Sequence, residues 1–154
     1  MSTPLRIYSD IVKPEWIDYN GHMTEAYYVL TFGFATEEFQ SHVGGGEAYR
    51  EQTGSSIYTV EAHINYLQEV KEGTPLNFST QLLNFDEKRM HLFHEMLVGD
   101  ENILVATTEV VALHVNSQPR VTAMPEEILE RLRAIYALHK DMPTPRNAGR
   151  SIGL

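Results

Sequence analysis

"DYNGHMTEAYYVLTFGFATEEFQ", residues 18–40, carries the reading on which the fold turns. From Thr24 to Gln40, the residues Ala26, Tyr27, Tyr28, Val29, Leu30, Phe32, Phe34, Ala35 and Phe39 leave almost no polar face. A helix that is apolar all round has to be buried, so residues 24–40 are predicted to form a central, covered helix. Thr24 can cap its start, and the glycines at 44–46 end it. Immediately ahead of it an Asp, an Asn, a Gly and a His crowd into five positions. Asn20 and Gly21 can supply the positive φ of a tight turn, which delivers the chain into the helix.

The flanking sequence says what covers that helix. "LRIYSDIVKPEWID" reads as an extended segment interrupted by Pro14. Four candidate strands follow at 57–70, 75–85, 89–98 and 103–115, with "EGT", "DEK" and "GDEN" as the turns between them. The last three are spaced for an antiparallel meander. Residues 57–70 alternate with period two, placing Tyr58, Val60, Ala62, Ile64 and Tyr66 on one face and Ile57, Thr59, Glu61, His63 and Asn65 on the other. "PEEILERLRAIYALHK" has Pro125 at the first helical position, two acids in the first turn and one apolar face, and predicts a C-terminal helix. The order suits an α+β fold in which a long antiparallel sheet wraps around the central helix. Residues 1–140 are expected to form the single domain and 141–154 an extended arm or disordered end.

Composition narrows the function classes. The 154 residues fit one domain with a sizeable core. A net charge of −9 argues against a nucleic-acid partner, since no basic stripe exists to neutralise phosphates. The absence of cysteine removes thiolate nucleophiles, disulfides and thiolate metal sites. No run approaches the ~20 apolar residues of a membrane span, and the N-terminus lacks the apolar core of a signal peptide. A cytoplasmic protein with no membrane partner is expected.

The turn before the helix is where chemistry can reside. The first N–H groups of a helix, at its positive end, can stabilise a developing oxyanion. Asp18 precedes them by a few residues and could act as a general base for water or as a nucleophile on an activated carbonyl. His22 could orient the carbonyl or the water. The competing reading is structural: Asp18 caps the turn, Asn20-Gly21 makes it, and His22 bonds locally.

The pattern Asp18-x-x-Gly21-His22, followed by Tyr27-Tyr28 and a long apolar helix, resembles the hotdog-fold acyl-CoA thioesterases of the 4-hydroxybenzoyl-CoA thioesterase type. The resemblance extends through "VEAHINYLQEVKEGTPL" and covers roughly residues 5 to 115. More narrowly, "PEWIDYNGHMTEAYY" and the tail "PRNAGRSIG" are similar to the thioesterases of carnitine breakdown, which hydrolyse betainyl-CoA. The resemblance implies a hotdog fold, thioester hydrolysis with Asp18 as the catalytic carboxylate, and Gly21 and His22 as the family's Gly-His pair. It implies no cofactor, coenzyme A being part of the substrate. Independently of the resemblance, the polar outer face of such a sheet calls for a partner and the edge of a single sheet gives little enclosure, so a homodimer or homotetramer with the site between subunits is expected. Many relatives carry Asn residues where this chain has Thr24 and Glu25, so Glu25 places a second carboxylate beside the site.

Further candidates follow from that frame. Glu61 and His63, with Asn65, share one side of a strand and either border the acyl pocket or form a polar sheet face. A betainyl group carries a trimethylammonium, which aromatic faces and a carboxylate would surround. Trp16, Tyr27, Tyr28 and Tyr66 could supply the faces and Glu25 or Glu61 the charge; core packing is the alternative for the tyrosines. Lys71, Lys88, Arg89, Arg146 and Arg150 are candidates for the CoA phosphates or simply solvated charge. His91 and His94 lie three apart on a strand, point to opposite faces, and are not expected to share a metal. Two other activities remain open: a hotdog hydratase or dehydratase using His22 or His63, and a non-catalytic acyl-CoA binder.

Overall fold

A computed structural model describes residues 2–154. The chain runs β1 (Leu5–Ile11), a 3₁₀ turn (Pro14–Trp16), α1 (Glu25–His42), α2 (Glu47–Thr53), β2 (Ser56–Tyr66), β3 (Pro75–Phe85), β4 (Arg89–Val98), β5 (Ile103–Val115) and α3 (Glu126–His139). The strands form one antiparallel sheet in the order β1-β3-β4-β5-β2. The predicted meander is β3-β4-β5. The short helix α2 goes beyond the sequence reading, and β2 leaves the sheet at Tyr66 rather than running on to Val70.

The sheet curls its inner face around α1, the hotdog arrangement. Tyr28, Thr31, Phe32, Ala35, Thr36, Phe39 and Gln40 are the buried side of α1. Around its first half gather Trp16, Met23, Phe78, Met96 and Val105. Around its second half gather Leu82, Leu92, Val110 and, from α3, Ile128 and Leu132. Burial is not complete on all sides, however. Val29 and Leu30 are 49% and 41% exposed, and they lie on a flank of α1 that the single chain leaves uncovered.

A bulge in β2 revises the predicted faces. Thr59 pairs with Ala112 and Glu61 with Val111, so Val60 is an extra residue and the alternation inverts across it. Ile57 therefore joins Ala62, Ile64 and Tyr66 on the inner face, while Tyr58 joins Glu61, His63 and Asn65 on the outer one. This explains how Ile57 and Ile64, seven residues apart, both pack into the core.

Two buried histidines tie helices to the sheet. His94 sits 3.0 Å from Thr36 Oγ1 of α1 and 2.8 Å from Thr80 Oγ1 of β3. Thr36 already donates its hydroxyl proton to the Phe32 carbonyl, so His94 Nε2 donates to Thr36 and Nδ1 accepts from Thr80. Burial pushes this imidazole down to about 3, keeping it neutral. His139 of α3 accepts the Leu82 N–H at 3.0 Å. β1 pairs with β3 only as far as Thr80, so the imidazole takes the place of a strand partner where the edge would otherwise be open.

The C-terminal segment, expected to be extended or disordered, folds across the outer face of the sheet. Gln81 Nε2 donates to the Pro143 carbonyl at 3.4 Å, and the Gly149 N–H donates to Glu109 Oε1 at 2.7 Å. Glu109 Oε2 is 2.6 Å from His91 Nε2. Gly149 has φ +72°, a left-handed conformation that glycine adopts without strain. No helix among the described residues is long and apolar enough to cross a membrane.

Candidate active site

The segment ahead of α1 is a small hairpin. Ile17 bridges Met23, the Asp18 N–H donates to the His22 carbonyl at 3.2 Å, and the Gly21 N–H donates to the Asp18 carbonyl at 3.0 Å. Gly21 has φ +84° with open space around it, so backbone conformation rather than crowding calls for glycine. Asp18 Oδ1 accepts the Asn20 N–H at 2.8 Å. The turn thus occupies one carboxylate oxygen, and Asp18 still lines a cavity of about 540 Å³.

That cavity lies at the start of α1. Thr24 is the N-cap in backbone conformation, but its side chain makes no capping hydrogen bond. Its own N–H is used by the Trp16 carbonyl at 3.0 Å, and Tyr27 N–H bonds back to the Thr24 carbonyl at 3.1 Å. The N–H groups of Glu25 and Ala26, in the first helical turn, have no acceptor within the helix. They present two donors at the positive end of the helix dipole, next to the residues that line the cavity.

His22 Nε2 is 3.1 Å from Glu69 Oε2. Opposite, Tyr28 and Tyr66 meet edge to face with ring centroids 5.3 Å apart. Tyr28 donates its hydroxyl proton to the Gln68 carbonyl at 3.0 Å, and burial raises its pKa. Burial also raises the Tyr66 phenol, with a further contribution from the Glu25 charge facing it. Asp18, Glu25 and Glu69 put three carboxylates around the cavity, and no Lys or Arg lines it.

The structure brings together Asp18, His22, Glu25, Tyr28 and Tyr66 from the sequence candidates. Asn20 and Gly21 sit in the exposed turn that shapes the site. Trp16 is not available as a ligand-facing ring: it is 4% exposed, stacked on Tyr27 with centroids 5.4 Å apart. Glu61 and His63 lie on the outer face of the sheet, away from Asp18 within the chain, because the bulge fixes them opposite Val111 and Glu109. The sequence reading missed Glu69 and Leu67. It ran β2 on to Val70, whereas residues 67–70 leave the sheet and turn toward the hairpin, where the Met23 N–H donates to the Val70 carbonyl at 2.8 Å. Among the described residues no group of three or more His, Asp or Glu side chains is placed to hold a metal.

Comparison with known proteins places the chain in a family. Residues 12–132 match the model of the thioesterase-like superfamily. The chain is 40% identical to a betainyl-CoA thioesterase of Pseudomonas aeruginosa, over all of this chain and 98% of that protein. It is 41% identical to an L-carnitine dehydrogenase/betainyl-CoA thioesterase of Rhizobium, matching 97% of this chain but 30% of that longer protein. A Staphylococcus aureus protein solved in complex with CoA superposes with a TM-score of 0.91 at 26% identity, covering 100% of this chain and 98% of that one. With the hotdog sheet, the Asp-bearing hairpin and the uncapped helix start already in place, the match over most of its length settles the family: the chain belongs to the thioesterase-like superfamily.

Proposed function

We propose that the protein hydrolyses the thioester of a cationic acyl-CoA, betainyl-CoA, at the cavity before α1. The observation that carries this reading is the charge of that cavity: three carboxylates, two tyrosine rings and no Lys or Arg. An anionic acyl group would be repelled there. A trimethylammonium, which cannot donate a hydrogen bond, gains from aromatic faces and nearby carboxylates. The 40% identity to a betainyl-CoA thioesterase supports the same substrate.

In this mechanism the thioester carbonyl points at the Glu25 and Ala26 N–H groups, which receive the oxyanion as carbon becomes tetrahedral. Asp18 takes a proton from the attacking water, or attacks the carbonyl itself to give an anhydride that water then opens. Either way the C–S bond breaks, CoA leaves as the thiol, and the water oxygen ends in the acid product or, where an anhydride opens at the Asp18 carbonyl, in the regenerated Asp18 carboxylate. His22, held by Glu69, positions the carbonyl or the water.

The His22–Glu69 pair favours a second reading, addition or removal of water across a carbon–carbon bond of a CoA ester by an imidazole–carboxylate pair. The product separates the two. Incubation with a panel of acyl-CoAs, betainyl-CoA among them, should release free thiol; a hydrated or dehydrated CoA ester without thiol would support the second reading instead.

The assembly in this proposal is a homodimer built on β2. Its outer edge is unpaired over 11 residues and contains neither Pro nor Lys, the residues that usually blunt such an edge. Val60, 55% exposed, and the open Val29–Leu30 flank of α1 add apolar surface beside it. Sedimentation equilibrium should give twice the chain mass or a multiple of it, reduced to one chain by Val60→Asp with Leu30→Glu. A monomeric wild type would overturn this assembly.

A further inference from the structure

The acyl cavity holds no cation, so the phosphates of a CoA thioester have to be bound elsewhere. A second cavity, of about 570 Å³, begins at Leu67, the residue that also lines the first. Leu67 lies just past the last residue of β2, its N–H bonded to the Val105 carbonyl at 2.9 Å, and it is the residue that the two cavities share. Leu67, Phe93 and Leu104 give the second cavity apolar walls. Its other side is the C-terminal tail, which contributes Pro145, Arg146, Asn147 and Arg150.

Two features mark this cavity as built to receive something. Thr107 lines it, is 2% exposed, and its hydroxyl is the buried side-chain polar atom without a hydrogen-bond partner among the described residues. Leaving such a buried group unpaired is unfavourable, and a bond to a ligand would remove that cost. The second feature is the tail's cations. Arg89 and Arg133 are committed to Asp86 and Glu126, and Arg131 to the Val43 carbonyl. Arg146 and Arg150 have no ion pair or side-chain hydrogen bond among the described residues. Glu95 is the cavity's one acid; burial raises its carboxyl, and the Arg6 charge facing it acts in the opposite direction. The tail is pinned where these guanidinium groups are useful, by Glu109 on the Gly149 N–H and Gln81 on the Pro143 carbonyl.

We infer that the C-terminal tail forms the phosphate end of the substrate site: the pantetheine arm passes Leu67 into the second cavity, Thr107 bonds it, and Arg146 and Arg150 hold the phosphorylated nucleotide of CoA. This rests on the acyl-CoA reading above. It also explains how one small acidic protein accommodates a molecule cationic at one end and polyanionic at the other: its two cavities have opposite charge requirements and share a single apolar residue.

The test compares wild type with the Arg146→Gln/Arg150→Gln double variant and with Thr107→Val. Binding of free CoA and of 3′-dephospho-CoA is measured by calorimetry. Turnover is measured on betainyl-CoA and on the betainyl thioester of N-acetylcysteamine, which lacks the nucleotide. The double variant should bind CoA at least ~10-fold more weakly, raise KM for betainyl-CoA similarly, keep kcat, and leave kcat/KM on the truncated thioester unchanged. Its KM should also depend less steeply on salt. Thr107→Val should weaken CoA binding at least ~3-fold while its thermal stability is equal to or above wild type. Unchanged CoA affinity in both variants overturns the inference, as does an equal loss on the truncated thioester, which would reveal a structural role. If wild type binds CoA through these residues yet hydrolyses no thioester, only the functional reading fails.

Discussion

Asp18→Asn is expected to lower kcat on betainyl-CoA by about 10²–10⁴-fold, the range that a positioned general acid or base contributes. The substitution isolates charge from structure. Asp18 Oδ1 accepts the Asn20 N–H, and an Asn carbonyl oxygen at the same position accepts it equally. Neither the Ile17–Met23 bridge nor the Gly21 N–H bond to the residue 18 carbonyl involves the side chain. The hairpin should therefore persist, with thermal stability within about 0.5 kcal/mol of wild type. If Asp18 served only as a turn residue, turnover would be unaffected. Steady-state thiol release paired with thermal unfolding distinguishes the cases: equal rates would remove Asp18 from the chemistry, while a large loss with intact folding places it there.

Glu25→Gln addresses the acyl group. Its side chain lines the same cavity as Tyr66. Two opposite charges a few ångströms apart are worth several kcal/mol at an effective dielectric of about 20 and much less where solvent reaches them. Glu25 is exposed in the single chain, so about 1–2 kcal/mol is a reasonable share, or about 5–30-fold in kcat/KM. That loss should fall on betainyl-CoA alone. The 3,3-dimethylbutyryl thioester has the same shape with carbon in place of nitrogen, and its kcat/KM should stay level or rise. Parallel losses on both substrates would mean that Glu25 acts on the thioester or the helix start and not on the cation.

Much of this was readable in the sequence because the features were local. The apolar run from Ala26 to Phe39 required a covering sheet, and the strand and helix patterns from residue 57 to 139 supplied one. Asp18, His22 and Glu25 fall within eight positions, so any fold that turns the chain at Asn20-Gly21 gathers them. Tyr28 and Tyr66 depended on the tertiary structure, and they meet because α1 lies across the inner face of β2.

The remainder depended on features that periodicity does not record. One extra residue at Val60 inverts β2, moving Ile57 into the core and leaving Glu61 and His63 on the outer face with Tyr58. Trp16 was a candidate aromatic face for a cation, yet it is buried and stacked on Tyr27. Glu69 was hidden because the sequence reading carried the strand on to Val70, whereas the regular strand ends at Tyr66 and residues 67–70 turn toward the hairpin. The tail gave no helical or strand pattern, and its position is set by single bonds to Glu109 and Gln81 from distant strands.

Hydrolysis of a cationic acyl-CoA in a cavity lined by carboxylates and tyrosines should show itself as a preference for the charged acyl group. Its most direct test is thiol release by the wild-type protein from betainyl-CoA and, side by side, from the neutral 3,3-dimethylbutyryl-CoA. Release from betainyl-CoA is expected with kcat/KM at least ~10-fold above that of the neutral isostere, a preference that narrows as ionic strength rises. No release from betainyl-CoA, or an equal or greater kcat/KM on the neutral thioester, would contradict it.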